Sequence, residues 1–332
     1  MIINGTRLFI NILYSDIYHM EVIFIPPDRH LADKVNNPMS TKKLMVVLLA
    51  LAIIGMSSLV LGCTGTSPSP SPSPAAGTAT PAPLSGSLTV TGSTSVGPYA
   101  EQLALMFDAK NNNQTNTQVS QVGSGPGITA TIQGTTDVGM SSRNLTANET
   151  AQGLIAYPIC TDGIAVIVNS ANPLSNLTVK QIEDIYAGNV TNWNAVGGTS
   201  GQIVVVQRES GSGTQDGFNT LVMSNKKVNV TTSAITQTST GAVMTYVAGN
   251  PNAIGYASFG DVAGQAGIKA LSVNGVAPSM TTIKDKSYIL QRPFILLTKG
   301  TPTPLAQAFI NYVLGSECQS YLAQHNEVPV NG

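Results

Sequence analysis

From residue 85 onward, short runs of apolar and β-branched residues alternate with segments whose apolar positions recur at helical spacing. LTVTG (88–92) reads as a strand. Tyr99, Leu103, Met106 and Phe107 then fall at i, i+4, i+7 and i+8, which predicts a helix with one apolar face. The alternation continues through TQVSQVG, a helix opened by Pro126, DVGM, IAVIVN, a helix around 182–186, IVVVQ, a helix over 213–223, another near 242–247, and AIGYAS. Strands alternating with helices predict α/β layers with mostly parallel sheets. Two long β-rich runs interrupt the rhythm: DGIAVIVN (162–169) and YILQRPFILLT (288–298). They are expected to be paired connectors between two lobes, the first built from 85–162 with 292–332 and the second from 163–291.

Upstream the pattern is of another kind. Lys42 and Lys43 precede an apolar run, 44–61, that ends in Gly62 and Cys63. A basic start, an apolar middle and a small residue before the cut make a secretory signal, here 39–63. VLGC (60–63) resembles a lipobox variant, with Cys63 the lipidated first residue of the mature chain; the alternative is a retained helix, since 18 residues barely span a bilayer. Either tethers the protein outside the membrane. Residues 1–38 stand before this signal, so Met39 is the expected start. SPSPSPSP and the rest of 64–84 form a proline-rich spacer that cannot bury a core.

Composition narrows the function. The 332 residues are 10% charged, with a net charge of −1. The length suffices for two domains, and no basic surplus exists to neutralise a nucleic-acid backbone. Beyond the signal only one histidine remains, His325, so histidine-assisted nucleophilic catalysis has almost no candidate. G-x-S-x-G fails because Arg143 stands where glycine should follow Ser141, and no G-K-[ST] follows a glycine loop. No His/Cys cluster supports zinc. A binder rather than an enzyme is expected, a monomer without metal or cofactor. Cys160 and Cys318 are the two cysteines left in the globular part; they either bridge or are plain core.

Four turns concentrate glycine and hydroxyl residues: GSTSV (92–96), GSGPG (123–127), GMSSR (139–143) and RESGSGT (208–214). Each follows a predicted strand and precedes a predicted helix, which is the edge where open α/β sheets bind ligands. Helix-start amides lack intrahelical partners and carry the positive end of the macrodipole. Serine and threonine add neutral donors there, and one arginine adds a fork matched to two oxyanion oxygens. Taken singly, such turns are ordinary caps: Ser212 with Gln215, and Thr146 with Glu149, have the spacing of capping boxes. Four together, two with arginine in so sparsely charged a chain, point to an anion.

In order along the chain, GSTSV, VGSGPG, DVGMSSR, TDGIAVIVNSANP, GNVTNW, RESGSGT, AIGYAS and RPFILLTKG resemble the phosphate-binding proteins of ABC transporters. The resemblance covers about 85–332. It implies a two-lobed type II periplasmic-binding fold, with two mixed sheets flanked by helices and the ligand cleft between the lobes. It also implies capture of inorganic phosphate by hinge closure and delivery to permease and ATPase subunits. Carried over by position, Thr94 and Ser95 would donate from backbone and side chain, Ser124 from its hydroxyl, Arg208 as the charged clamp, and Ser212, Gly213 and Thr214 as helix-start donors. Better-known members place a carboxylate near Ser142 to accept the phosphate proton. Ser142 can accept but offers no charge against sulfate, which leaves Glu209 or Asp137 as alternative carboxylates for that part. Ser141 is a further candidate, and Arg143 either reaches the ligand or pairs with an acidic neighbour. Another oxyanion (sulfate, molybdate or tungstate), or a non-transport sensor or adhesion role, are the alternatives on the same fold.

Overall fold

The computed structural model describes residues 2–3, 6–7, 84–224 and 226–330. The chain divides into two units, Met1–Gly77 and Thr78–Gly332. In the first, Ile2–Ile3 pairs antiparallel with Thr6–Arg7. The signal and its lipobox, and the spacer up to residue 83, lie outside the described residues.

In the second unit, β1 (Gly86–Gly92) lies between β2 (Thr115–Gln121) and β3 (Val138–Ser141), all parallel. Helices α1 (Gly97–Lys110) and α2 (Ser124–Gln133) make the crossovers. Tyr99, Leu103 and Phe107 are buried as the period-3.6 spacing predicts, and Leu105 on the other face is exposed. Helix α2 begins at Ser124, two residues before Pro126, because Gly123 at φ 97° takes the N-cap position.

The run 162–169 is the second half of a 16-residue strand, β4 (Leu154–Asn169). At about 3.3 Å per residue such a strand reaches roughly 50 Å. Following α3 (Val179–Ala187) come β5 (Val204–Arg208), α4 (Gly213–Leu221), β6 (Ile235–Gln237), α5 (Thr240–Gly249), β7 (Ala253–Ser258), β8 (Ile268–Ala270) and β9 (Gln291–Lys299). Residues 154–163 of β4 pair antiparallel with β9, while residues 164–168 pair antiparallel with β7. β9 also pairs antiparallel with β3, and β5 lies parallel to both β7 and β6. The expected sheets are thus joined through β4 into one mixed ten-stranded sheet, and strands are less uniformly parallel than their alternation with helices suggests. The chain ends through α6 (Pro304–Val313), α7 (Ser316–Gln324) and β10 (Val328–Pro329), which returns to β4.

Apolar burial follows the same division. One core draws on residues 88–160 and 294–322, with Phe107 edge-on to Phe309. Another draws on 164–290 and Val328, with Phe218 stacked on Tyr256, and a third packs α5 on β4 and β7. Burying each such large apolar side chain contributes about 1.5–3 kcal/mol. Trp193 belongs to the second core and donates from Nε1 to the Asn252 carbonyl.

The two cysteines are core and do not bridge. Both are buried free thiols in the first core. Cys160 donates from Sγ to Glu327 Oε2 at 3.6 Å, and burial pushes its thiol well above the usual range. Cys318 instead faces Tyr312.

Candidate functional site

All four hydroxyl-rich turns sit where a strand ends and a helix begins. GSTSV joins β1 to α1. Ser93 turns back there, its Oγ accepting from the Ser95 and Val96 amides at 3.2 and 3.3 Å. That occupies the Ser95 amide, while the Thr94 and Ser95 side chains both meet Thr240. GSGPG opens α2, and Gly125 donates from its amide to the Gly211 carbonyl at 2.8 Å, joining the turn directly to RESGSGT. Ser212 caps α4 as expected, accepting from the Gln215 amide at 3.3 Å. The box is not reciprocal, because the Gln215 side chain bonds the Arg208 carbonyl.

Two clusters result. In the first, Ser95 Oγ lies 2.9 Å from Thr214 Oγ1 and 2.9 Å from Thr240 Oγ1. Thr240 Oγ1 also accepts from Arg208 Nη1 at 3.1 Å and lies 3.4 Å from Thr94 Oγ1. In the second, Ser124 Oγ accepts from the Ser142 amide at 3.1 Å and meets Ser142 Oγ at 3.3 Å. Helix α4 joins them: Thr214 belongs to the first cluster, while Gly213 presses its backbone against the Ser124 and Ser142 hydroxyls. A Cβ on Gly213 would collide with both oxygens. Thr94, Ser95, Ser124, Ser142, Arg208, Ser212 and Thr214 are all buried.

Arg208 is 1% exposed and held on three sides. Its Nε and Nη2 donate to Glu209 Oε2 and Oε1 at 2.8 and 2.7 Å, and its backbone amide donates to Tyr256 Oη at 3.0 Å. The bidentate pair fixes the guanidinium plane and leaves Nη1 aimed into the hydroxyl cluster. Burial pushes the Tyr256 hydroxyl above its ordinary value, so it stays a neutral partner. Glu209, one of the two carboxylates considered for reading the phosphate proton, therefore has both oxygens engaged by Arg208. Asp137, the other, accepts at Oδ2 from the amide and hydroxyl of Thr89, the middle residue of β1, and so is engaged away from the turn that carries Thr94.

Arg143 and Ser141 are not brought into these clusters. Ser141 Oγ closes its own turn, donating to the Arg143 carbonyl at 2.9 Å. Arg143 donates from Nη1 and Nη2 to Glu149 at 2.8 Å each, and Nε lies 2.9 Å from Asp216 Oδ2. The Arg143 guanidinium, with help from Thr146, holds the Glu149 carboxyl down at about 2. Of the two alternatives for Arg143, the acidic-neighbour one is what forms, and Thr146 with Glu149 makes the expected reciprocal capping box.

Three residues escaped the sequence reading. Thr240, the first residue of α5, links Thr94, Ser95 and Arg208, yet nothing marks it locally beyond a Ser-Thr-Gly helix start. Arg292 and Asp162 form a buried ion pair whose arginine donates from Nη1 to Thr214 Oγ1 at 2.6 Å. A charged residue inside the apolar run YILQRPFILLT was the available signal. Thr94 and Thr240 also border a cavity of about 510 Å³ with Tyr99, Asp261, Tyr321 and His325 on its walls. Among the described residues, no group of three or more His, Cys, Asp or Glu side chains is placed to hold a metal.

The arrangement suits an oxyanion. Arg208 and Arg292 are balanced by Glu209 and Asp162, so the surplus is one of donors: hydroxyls, the α4 amides and one arginine arm.

Known proteins resemble this chain throughout its second unit. Residues 77–317 match the family model described as the PBP superfamily domain. A Clostridium perfringens structure with bound phosphate, assigned as a phosphate ABC transporter substrate-binding protein, is 37% identical, covering 74% of this chain and 100% of that one with a TM-score of 0.71. An ABC-type phosphate transport receptor from Vibrio cholerae is 32% identical over 73% of this chain and 99% of its own, with a TM-score of 0.62. The phosphate-binding protein PstS of Bacillus subtilis (strain 168) is 28% identical over 249 residues, 74% of this chain and 81% of that protein.

Proposed function

We infer from one premise, that this chain belongs to the PBP superfamily, that it is a substrate-binding protein which captures inorganic phosphate and delivers it to an ABC transporter. The fold is the mixed α/β fold of the type II phosphate-binding proteins. The observation that carries the ligand is the convergence of the Ser95, Thr214 and Thr240 hydroxyls with Arg208 Nη1 in a buried, donor-rich cluster.

Within this reading, 85–162 with 292–332 form one lobe and 163–291 the other, joined through β4 and β9. Thr94, Ser95, Ser124 and Ser142 approach the anion from the first lobe. Arg208, Ser212, Gly213, Thr214 and Thr240 approach from the second. Contacts from both favour the closed form, so phosphate shifts the hinge equilibrium by its differential affinity. The role is binding, with no catalytic residue assigned. The protein acts outside the membrane as a monomer, tethered through Cys63 at the end of the 39–63 signal and spaced by 64–84. It meets permease and ATPase subunits in the membrane. No helix among the described residues is long and apolar enough to cross one.

Calorimetric titration of the purified chain, freed of bound anion, with phosphate, sulfate and molybdate tests the reading. The expected result is phosphate binding at micromolar or tighter, about −8 kcal/mol, with sulfate much weaker. Preferential sulfate or molybdate binding would transfer the role to another oxyanion, and no binding would refute capture altogether.

A further inference from the structure

The buried pair behind Thr214 has a geometry that ordinary charge neutralisation does not require. Arg292, 4% exposed, stands directly opposite Asp162 in the register of β9 and β4. Its Nε donates to Asp162 Oδ2 at 2.9 Å, and its Nη2 lies 2.8 Å from the same oxygen. The other oxygen, Oδ1, accepts from Ser258 Oγ at 2.9 Å and the Phe259 amide at 3.1 Å. The guanidinium also lies over the Phe294 ring, 5.2 Å from its centroid. With the carboxylate held from three directions and the plane resting on Phe294, the remaining arm, Nη1, is aimed at Thr214 Oγ1.

A guanidinium donates and never accepts, whereas a hydroxyl has one proton to give. Thr214 Oγ1 must therefore accept from Arg292, which frees its own proton for Ser95 Oγ, 2.9 Å away. At the other end Thr240 Oγ1 accepts from Arg208 Nη1, which frees its proton for Ser95 Oγ in the same way. With both protons given to Ser95 Oγ, its acceptor capacity is full and its own proton is left for an oxyanion oxygen. With only one end anchored, the chain can reverse, and Ser95 can present a lone pair to the anion instead.

We propose that Arg292, held by Asp162, is a positioning residue for phosphate binding, acting through Thr214 to fix the direction of the hydroxyl protons that face the anion. The proposal rests on the phosphate-binding reading. It adds a second arginine that strengthens binding without touching the ligand.

A double-mutant cycle tests it: phosphate titrations of wild type, Arg292→Lys, Thr214→Val and the double variant, with ligand-free thermal melts of each. Lysine keeps a cation beside Asp162 but cannot span both Asp162 and Thr214. Arg292→Lys should weaken phosphate binding about tenfold, the size of one hydrogen bond to a charged group. In the Thr214→Val background the same change should have less than a twofold effect. Equal losses in both backgrounds would overturn the proposal, because Arg292 would then act by long-range charge or by the fold. Should Arg292→Lys fail to fold, Thr214→Ser decides: it restores the hydroxyl and should bind within about twofold of wild type, whereas binding as weak as Thr214→Val would overturn the relay. Wild type that fails to bind phosphate removes the functional reading as well, while wild type that binds with an additive cycle removes only the relay.

Discussion

Arg208 and Arg143 begin from nearly the same local chemistry. Each follows or ends a strand in a Ser-Gly-rich turn, each is held bidentately by a glutamate, and each stands near the start of α4. They differ in what occupies the remaining arm. Arg143, whose side chain is 15% exposed, meets a second carboxylate, Asp216. Arg208, 1% exposed, meets the Thr240 hydroxyl. One positive charge shared by two carboxylates is more than satisfied. One positive charge with a single carboxylate and a neutral hydroxyl retains an arm for an incoming anion. An arginine in a glycine-rich turn is therefore informative only once its carboxylates have been counted.

The comparison is broken most directly by removing each arginine in turn. Arg208→Ala should weaken phosphate binding by about 2–5 kcal/mol, since it removes a buried charged partner of the anion. Arg143→Ala should weaken it by less than about 1 kcal/mol, as expected for a partly solvated ion pair away from the ligand. Equal losses by calorimetry would mean that the two arginines serve the anion alike. Thr240→Ala sharpens the contrast. It strips the one neutral partner from the Arg208 guanidinium and should cost about 1–3 kcal/mol of phosphate affinity, the penalty of leaving a buried charged donor underused. Thr94→Ala should cost no more than about 1 kcal/mol, because its contact to Thr240 is long, at 3.4 Å. If Thr94→Ala exceeds Thr240→Ala, the hub has been misplaced.

The fold was legible where burial imposes a period. The spacing of Tyr99, Leu103 and Phe107 and the β-branched runs at 164–168 and 204–206 reported elements that the structure contains, because one face of each must meet a core. The first half of β4 was not legible. Leu154, Ile155, Tyr157 and Pro158 alternate poorly, and their pairing with β9 is set by residues more than 130 positions away. The site divides in the same way. Arg208, Ser212 and Thr214 share one turn, and their roles are local to it. Thr240 and Arg292 enter through sheet topology, from helix α5 and strand β9, and their turns or runs taken alone carry no trace of Ser95 or Thr214. Cys160 and Cys318 illustrate the limit from the other side: two cysteines in one core and one compartment suggest a bridge, and only packing shows Glu327 beside one and Tyr312 beside the other.

The smallest predicted effect concerns the saturated arginine, and it appears in stability, not affinity. Hydrogen bonding from Arg143 lowers the Glu149 carboxyl from its ordinary value of 4.5 to about 2, with further help from the Thr146 amide. A carboxylate depressed in the folded state stabilises the fold above its unfolded pKa, and that contribution is lost as pH falls through the folded value. The window here is from pH 4.5 down to about 2. Because the Arg143–Glu149 pair is only partly buried, screening reduces the contribution to about 1 kcal/mol or less. Thermal melts at pH 6 and pH 3 should therefore show a smaller pH-dependent drop for Glu149→Gln than for wild type, with phosphate affinity at pH 7 nearly equal in the two. An unchanged pH dependence would show that the Arg143–Glu149 pair adds nothing to the fold. A loss of phosphate affinity in Glu149→Gln would show that the Arg143 cluster is coupled to the anion after all, and the contrast with Arg208 would then be one of degree.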